Sequence, residues 1–208
     1  MNCDACVVRE PLVRSEIYHP ETKCCQFSPF WSAFGIGAWL KSGGNKDYIH
    51  SLKAKGFLFS PLGILHDFSH RLDKKALCWH FDKDKGCSIW TERPPICFSF
   101  FCASQYPDGL LVYGKMEAWL LKTEAKALKL WFQELNLSDE FWSQWGECME
   151  AQPSVDKLPN ELIINDVSQA IEFYENSWSF INRQETKDIL QGEALKWQKG
   201  LAQDPLLC

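Results

Sequence analysis

A chain of 208 residues is long enough to bury a hydrophobic core without help from a metal, and that length favours one domain or one domain with an appendage. Its 22 Lys and Arg stand against 27 Asp and Glu, a formal net charge of -5, so no broad positive field exists to hold a phosphate backbone. Nucleic acid is therefore excluded as the expected partner, and the ten cysteines are the feature that composition leaves to be explained.

The amino terminus, MNCDACVVREPLV, lacks a basic stretch followed by an uninterrupted apolar one, which predicts no secretory leader. FSPFWSAFGIGAWL is the most apolar segment, but Pro29, Gly35 and Gly37 interrupt it well short of the about 18 residues a membrane-spanning helix requires. The expected setting is the cytoplasm, with no membrane partner, where thiols are reduced and a disulfide framework is disfavoured.

Trp31 to Leu40 and Lys46 to Ala54 are predicted as short helices, separated by the turn Ser42-Gly43-Gly44-Asn45. Gly56 to Leu65 mixes β-compatible residues with Pro61 and Gly63, which fits either a strand or an irregular loop. From Lys115 to Leu135 a three-four rhythm places Leu121, Ala125, Leu128, Phe132 and Leu135 on one helix face, with Lys122, Lys126 and Lys129 on a neighbouring exposed face. Ser138, followed by Asp139 and Glu140, opens a short Trp-rich helix to about Met149. AQPSVDKLPN reads as a linker. Asp166 with Gln169 then resembles a capping box ahead of Val167, Ala170, Ile171, Tyr174 and Trp178, and a last helix is expected from Glu185 to about Leu201.

Two cysteine sets precede the midpoint: Cys3, Cys6, Cys24 and Cys25, then Cys78, Cys87, Cys97 and Cys102. Four thiolates satisfy a tetrahedral zinc or an iron-sulfur cluster, so each set is a candidate ligand set. Cys3-x-x-Cys6 lets the chain turn and aim both sulfurs at one centre. The adjacent Cys24 and Cys25 diverge in extended backbone, so one can bind while the other packs or serves a second centre. Between Cys78 and Cys87 the run DKDKG is a turn signal and predicts a hairpin-like clip. Pro94 and Pro95 stiffen the approach to Cys97, and Phe98, Phe100 and Phe101 can exclude water from a centre.

Cys87-Ser-Ile-Trp-Thr-Glu-Arg-Pro-Pro-Ile-Cys97, with Cys78 upstream and an early cysteine pair and double cysteine, resembles the YkgJ-type cysteine-cluster family, a zinc- or iron-chelating domain. The likeness covers about the first hundred residues. It departs from the compact family pattern in the seventeen residues between Cys6 and Cys24. The resemblance implies metal binding by the eight clustered cysteines, and with the aromatic surroundings of Cys97 it favours an iron-sulfur cluster over zinc. Some relatives combine such a module with flagellin lysine methylation, so an iron-sulfur-dependent modifying enzyme such as a lysine methylase is one alternative. A zinc-stabilised interaction module is another.

Arg93 is the natural cation beside an anionic four-thiolate centre, its bland alternative being a surface arginine in a tight turn. His80, lying between cysteines, is a candidate supporting donor or substitute ligand. His66 and His70 share helical spacing but lack a third placed ligand and are expected to be ordinary solvated or capped histidines. Cys148 and Cys208 have no cysteine neighbour and are left outside the centre. Trp119, Trp131, Trp142, Trp145, Trp178 and Trp197 are expected to fill the core or cover a partner surface. Gly35-x-Gly37 is too incomplete for a dinucleotide loop, and no phosphate loop, nucleophile elbow or Cys-x-x-x-Cys-x-x-Cys spacing occurs. The expected fold is mainly α with irregular, cysteine-rich metal-binding loops and room for small β content: a cysteine module over 1–110 against which a Trp-rich helical region, 111–208, packs. An unidentified protein is the partner class left open, together with whether the chain is an enzyme.

Overall fold

Ser32 decides where the first helix begins. In the computed structural model, which describes residues 29–65, 78–82, 84, 86–95, 97, 109–143 and 160–192, Trp31–Ser32 forms a short strand, β1. Its second residue doubles as the helix cap: the extended Ser32 accepts a hydrogen bond from Gly35 N at 3.4 Å through its hydroxyl. Helix α1 (Ala33–Lys41) therefore starts two residues later than the hydrophobic run suggests. It closes on Ser42, and Gly43 takes a φ of 96°, a conformation glycine adopts without strain. Asn45 caps α2 (Lys46–Ala54) by accepting from Asp47 N at 2.8 Å.

The ambiguous segment Gly56 to Leu65 is a β-hairpin. β2 (Leu58–Ser60) and β3 (Gly63–Leu65) pair antiparallel through a two-residue Pro61-Leu62 link, and β1 adds to β3, giving the order β1-β3-β2. Ser60 secures the corner, donating its hydroxyl to Gly63 O at 2.9 Å while accepting from Gly63 N at 3.2 Å. Pro61 falls in the link, where its missing N–H costs no ladder bond. Ile164 N extends the pairing to Phe59 O at 2.7 Å.

The second half supplies α3 (Gly109–Glu134), a helix over 139–143, α4 (Val167–Ile181) and a helix over 184–192. Asn136, at φ 55°, ends α3: Asn136 N donates to Gln133 O at 2.9 Å and Leu137 N to Phe132 O at 3.2 Å, the paired bonds of a Schellman stop. Ser138 accepts from Phe141 N at 3.4 Å and Asp166 from Gln169 N at 2.8 Å, so both helix starts expected from sequence form. The chain is mainly helical with small antiparallel sheets.

Two apolar clusters knit these elements together. One joins Trp31, Ile36 and Trp39 of β1 and α1, Ile49 and Leu52 of α2, Phe59 and Ile64 of the sheet, and Ala170, Ile171 and Tyr174 of α4. The other joins Phe34, Leu62 and Leu65 to Leu128, Trp131 and Phe132 of α3 and Phe180 of α4. Helices α1 and α4 meet closely because Gly37 has no side chain; a Cβ there would collide with the Tyr174 carbonyl. Of the Gly35-x-Gly37 pair, Gly37 thus serves helix packing, whereas a Cβ on Gly35 would press on the Trp31 ring at 3.0 Å.

One face assignment is corrected. Leu121 is 42% exposed and Ala125 is exposed, whereas Ala127, Leu128, Trp131 and Phe132 are buried. Among the described side chains of α3, from Ala118 on, the buried stripe is carried by Ala127, Leu128, Trp131 and Phe132. Lys122, Lys126 and Lys129 are exposed as expected. Trp131 is buried and donates Nε1 to Pro61 O at 3.2 Å, while Trp119, Trp142 and Trp178 are half-buried. Trp145, Trp197 and the linker before Asn160 lie outside the described residues, as do the carboxyl ends expected for the helices near Met149 and Leu201. Among the described residues, no helix is long and apolar enough to cross a membrane.

Candidate metal centre

Asp82, Asp84 and Gly86, the described residues of the DKDKG run, belong to a hairpin. β4 (Phe81–Asp82) and β5 (Gly86–Cys87) pair antiparallel, with Phe81 opposite Cys87 and Asp82 opposite Gly86. The Asp82 carboxylate accepts from Asp84 N at 2.8 Å, and Gly86, the first residue of β5, takes a φ of 79°, a left-handed conformation that glycine adopts without strain. A Cβ on Gly86 would meet nothing within 4 Å, so backbone conformation, not crowding, demands glycine here.

This hairpin gathers two of the predicted ligands. Phe81 N donates to Cys78 O at 2.9 Å, and the same Phe81 is the register partner of Cys87, so the backbones of both cysteines flank one residue. Ser88 binds the far side: its N and its hydroxyl both donate to His80 O, at 2.8 and 3.0 Å. Cys78 is buried and Cys87 is half-buried.

Against the hairpin stands a residue with no sequence signature, Tyr48 of α2. Its hydroxyl lies 2.7 Å from His80 Nδ1 and 3.4 Å from Trp79 O. Burial pushes the phenol up to about 12, the Ser88 hydroxyl lowers it in part, and the thiols of Cys78 and Cys87 raise it further. Tyr48 thus keeps its proton at neutral pH and lies within electrostatic reach of both sulfurs. Its one proton serves the 2.7 Å contact when the imidazole proton is on Nε2, and the 3.4 Å contact when it is on Nδ1. His80 is 3% exposed, and its ring meets Trp31 edge-on at 5.0 Å.

Aromatic side chains wall the site. Trp31 and Trp39 pack edge-to-face at 5.5 Å, Trp39 and Tyr48 at 5.7 Å, and Phe57 and Trp79 at 5.2 Å. Trp39 Nε1 donates to Ser88 O and Trp31 Nε1 to Glu92 O, each at 3.2 Å, tying the cysteine-bearing segment to the helical core.

The phrase after Cys87 continues into a 3-10 turn over Trp90–Glu92. Arg93, half-buried, stacks its guanidinium 3.7 Å above the half-buried Trp90 ring, a cation-π contact. Pro94 is buried and its carbonyl accepts from Cys97 N at 2.8 Å, which turns the chain at the half-buried Cys97.

Cys78, Cys87, Cys97, His80 and Arg93 are therefore within the described residues; Cys3, Cys6, Cys24, Cys25 and Cys102 lie outside them, as do Phe98, Phe100, Phe101, His66, His70, Cys148 and Cys208. Among the described residues, no group of three or more His, Cys, Asp and Glu side chains could hold a metal ion. The described donors bring the backbones of Cys78 and Cys87 to either side of Phe81, with the buried His80 between them in sequence, and a four-thiolate centre needs two further cysteines.

No protein-family model, curated protein or solved structure matches the chain.

Proposed function

We propose that the chain is a cysteine-cluster metal-binding protein with a redox or structural role, holding an iron-sulfur cluster in preference to zinc. The observation that supports this reading is the β4–β5 hairpin, where the backbones of Cys78 and Cys87 flank Phe81 and the buried His80 beside them meets the Tyr48 hydroxyl. Cys78 and Cys87 supply two thiolates in this proposal. Cys97 and Cys102 complete the set, and Cys3, Cys6, Cys24 and Cys25 form a second set or share the first. The resemblance of the Cys87–Cys97 phrase to the YkgJ-type family supports the same assignment, and a cytoplasmic setting keeps the thiols reduced.

Bound there, an iron-sulfur cluster supplies one-electron transfer, whereas zinc supplies a rigid cross-link alone. The chain's own residues limit water and hold the ligand backbone: Trp31, Trp39 and Trp79 surround the hairpin, and Arg93 brings a positive charge to the segment between Cys87 and Cys97.

The test is the thiolate-to-metal charge-transfer absorption of anaerobically purified full-length protein, compared with Cys78→Ser and Cys87→Ser. The proposal expects the band in the parent and its loss or marked weakening in each variant. An equally intense band in both variants would remove the hairpin from the centre.

A further inference from the structure

Three ring donors, Trp31 of β1, Trp39 of α1 and Tyr48 of α2, reach main-chain or side-chain acceptors between Trp79 and Glu92. Trp31 Nε1 donates to Glu92 O, Trp39 Nε1 to Ser88 O, and the Tyr48 hydroxyl contacts His80 Nδ1 and Trp79 O. The acceptors of Trp39 and Tyr48 bracket the β4–β5 hairpin, one after Cys87 and the others just after Cys78. Edge-to-face packing of Trp31 with Trp39 and of Trp39 with Tyr48 makes the three donors one continuous surface. Tyr48 and Trp39 are themselves set by α1, α2 and the Gly43-Gly44 turn, elements that contain no cysteine.

Resting on the metal-binding reading above, we infer that Tyr48, supported by Trp39, is a positioning residue for the Cys78–Cys87 ligand pair, holding the hairpin so that both sulfurs address one metal ion. Two-strand ribbons as short as β4–β5 are weakly stable alone, so their geometry depends on outside anchors. The hydroxyl of Tyr48 anchors the hairpin at His80, and His80 O in turn receives both donors of Ser88, the residue after Cys87. Removing the hydroxyl while keeping the ring loosens the spacing of the two cysteines without emptying the aromatic wall. Outer hydrogen bonds of this kind typically govern metal affinity by about 10-fold or more.

The experiment titrates the metal-free, reduced full-length chain with Co²⁺, whose thiolate charge-transfer band reports both affinity and the thiolates engaged. Tyr48→Phe is expected to weaken Co²⁺ binding about 10-fold and to lower the band's intensity at saturation, a spectral change that a general loss of stability does not produce. Trp39→Phe, which removes the Ser88 O anchor, is expected to act in the same direction and serves if Tyr48→Phe does not fold. Identical affinity and spectrum in the folded variants overturn the positioning role while leaving the metal-binding reading intact. A parent chain that gives no thiolate-cobalt band overturns both.

Discussion

Tyr174 of α4 donates its hydroxyl to Ser60 O, 3.2 Å away, across the buried junction between α4 and the β2–β3 hairpin of the first half. The residue is fully buried, and burial pushes its phenol well above the ordinary range, with the Ser60 bond pulling partly back. Tyr174→Phe keeps the ring and removes the bond. The expected cost is about 1 kcal/mol in urea unfolding, because a buried carbonyl loses a partner. An unchanged urea midpoint would show that this link between the two halves contributes nothing to stability.

Gly37 makes the second link between the same elements. Its Cβ position is occupied by the Tyr174 carbonyl and crowded by Trp178, so Gly37→Ala must push α1 from α4. A loss of about 1–3 kcal/mol is expected from such overpacking. Gly192→Ala, where a Cβ meets nothing within 4 Å, is the matched control and should lose no stability. Equal denaturation midpoints for Gly37→Ala and the parent protein would contradict the close helix contact.

Glu124 of α3 gives a pH-dependent expectation. Burial raises its carboxyl above the usual carboxylate value, and a hydrogen bond with the Ser32 hydroxyl lowers it in part. A carboxyl raised in the folded state favours the fold in its protonated form. That contribution is complete below the unfolded value and is lost as pH rises through the folded one. Glu124→Gln is therefore expected to be more stable than the parent at pH 7, with the advantage shrinking as pH falls through the raised folded value and gone below the unfolded carboxyl value. Urea midpoints at neutral and acid pH check this, and a Gln variant less stable at pH 7 would contradict it.

Local signals were the legible part of this chain. Asp166 three residues before Gln169, Ser138 before two acids, and the DKDKG run each specify their structure through a bond made within a few residues, and each forms. On α3 the rhythm named Leu128 and Phe132 as core but also the exposed Leu121 and Ala125, because it reports periodicity while burial depends on what the helix meets. Gly56 to Leu65 stayed ambiguous because its hairpin is held by β1 and by Ile164, more than a hundred residues along. Tyr48 was invisible for the same reason. Its place beside His80 comes from folding α2 against a hairpin 32 residues away, and a lone tyrosine in KDYIHSLKA carries no mark of that contact.

Ligands and bystanders should separate by metal content. Cys87→Ser and Cys97→Ser are expected to lose metal and to loosen the segment around the hairpin, because an incomplete coordination sphere withdraws binding free energy from the fold. Cys208→Ser is expected to retain the parent's content. Metal analysis of the three purified variants checks the division, and equal loss in all three would show that it is drawn in the wrong place.

The most direct test of the central claim is the iron, zinc and acid-labile sulfide content per chain of the full-length protein isolated under anaerobic conditions. The account predicts brown protein with iron and sulfide in comparable amounts. Colourless protein with stoichiometric zinc would replace the cluster by a structural metal, and protein isolated with neither iron nor zinc would contradict the claim that these cysteines hold a metal.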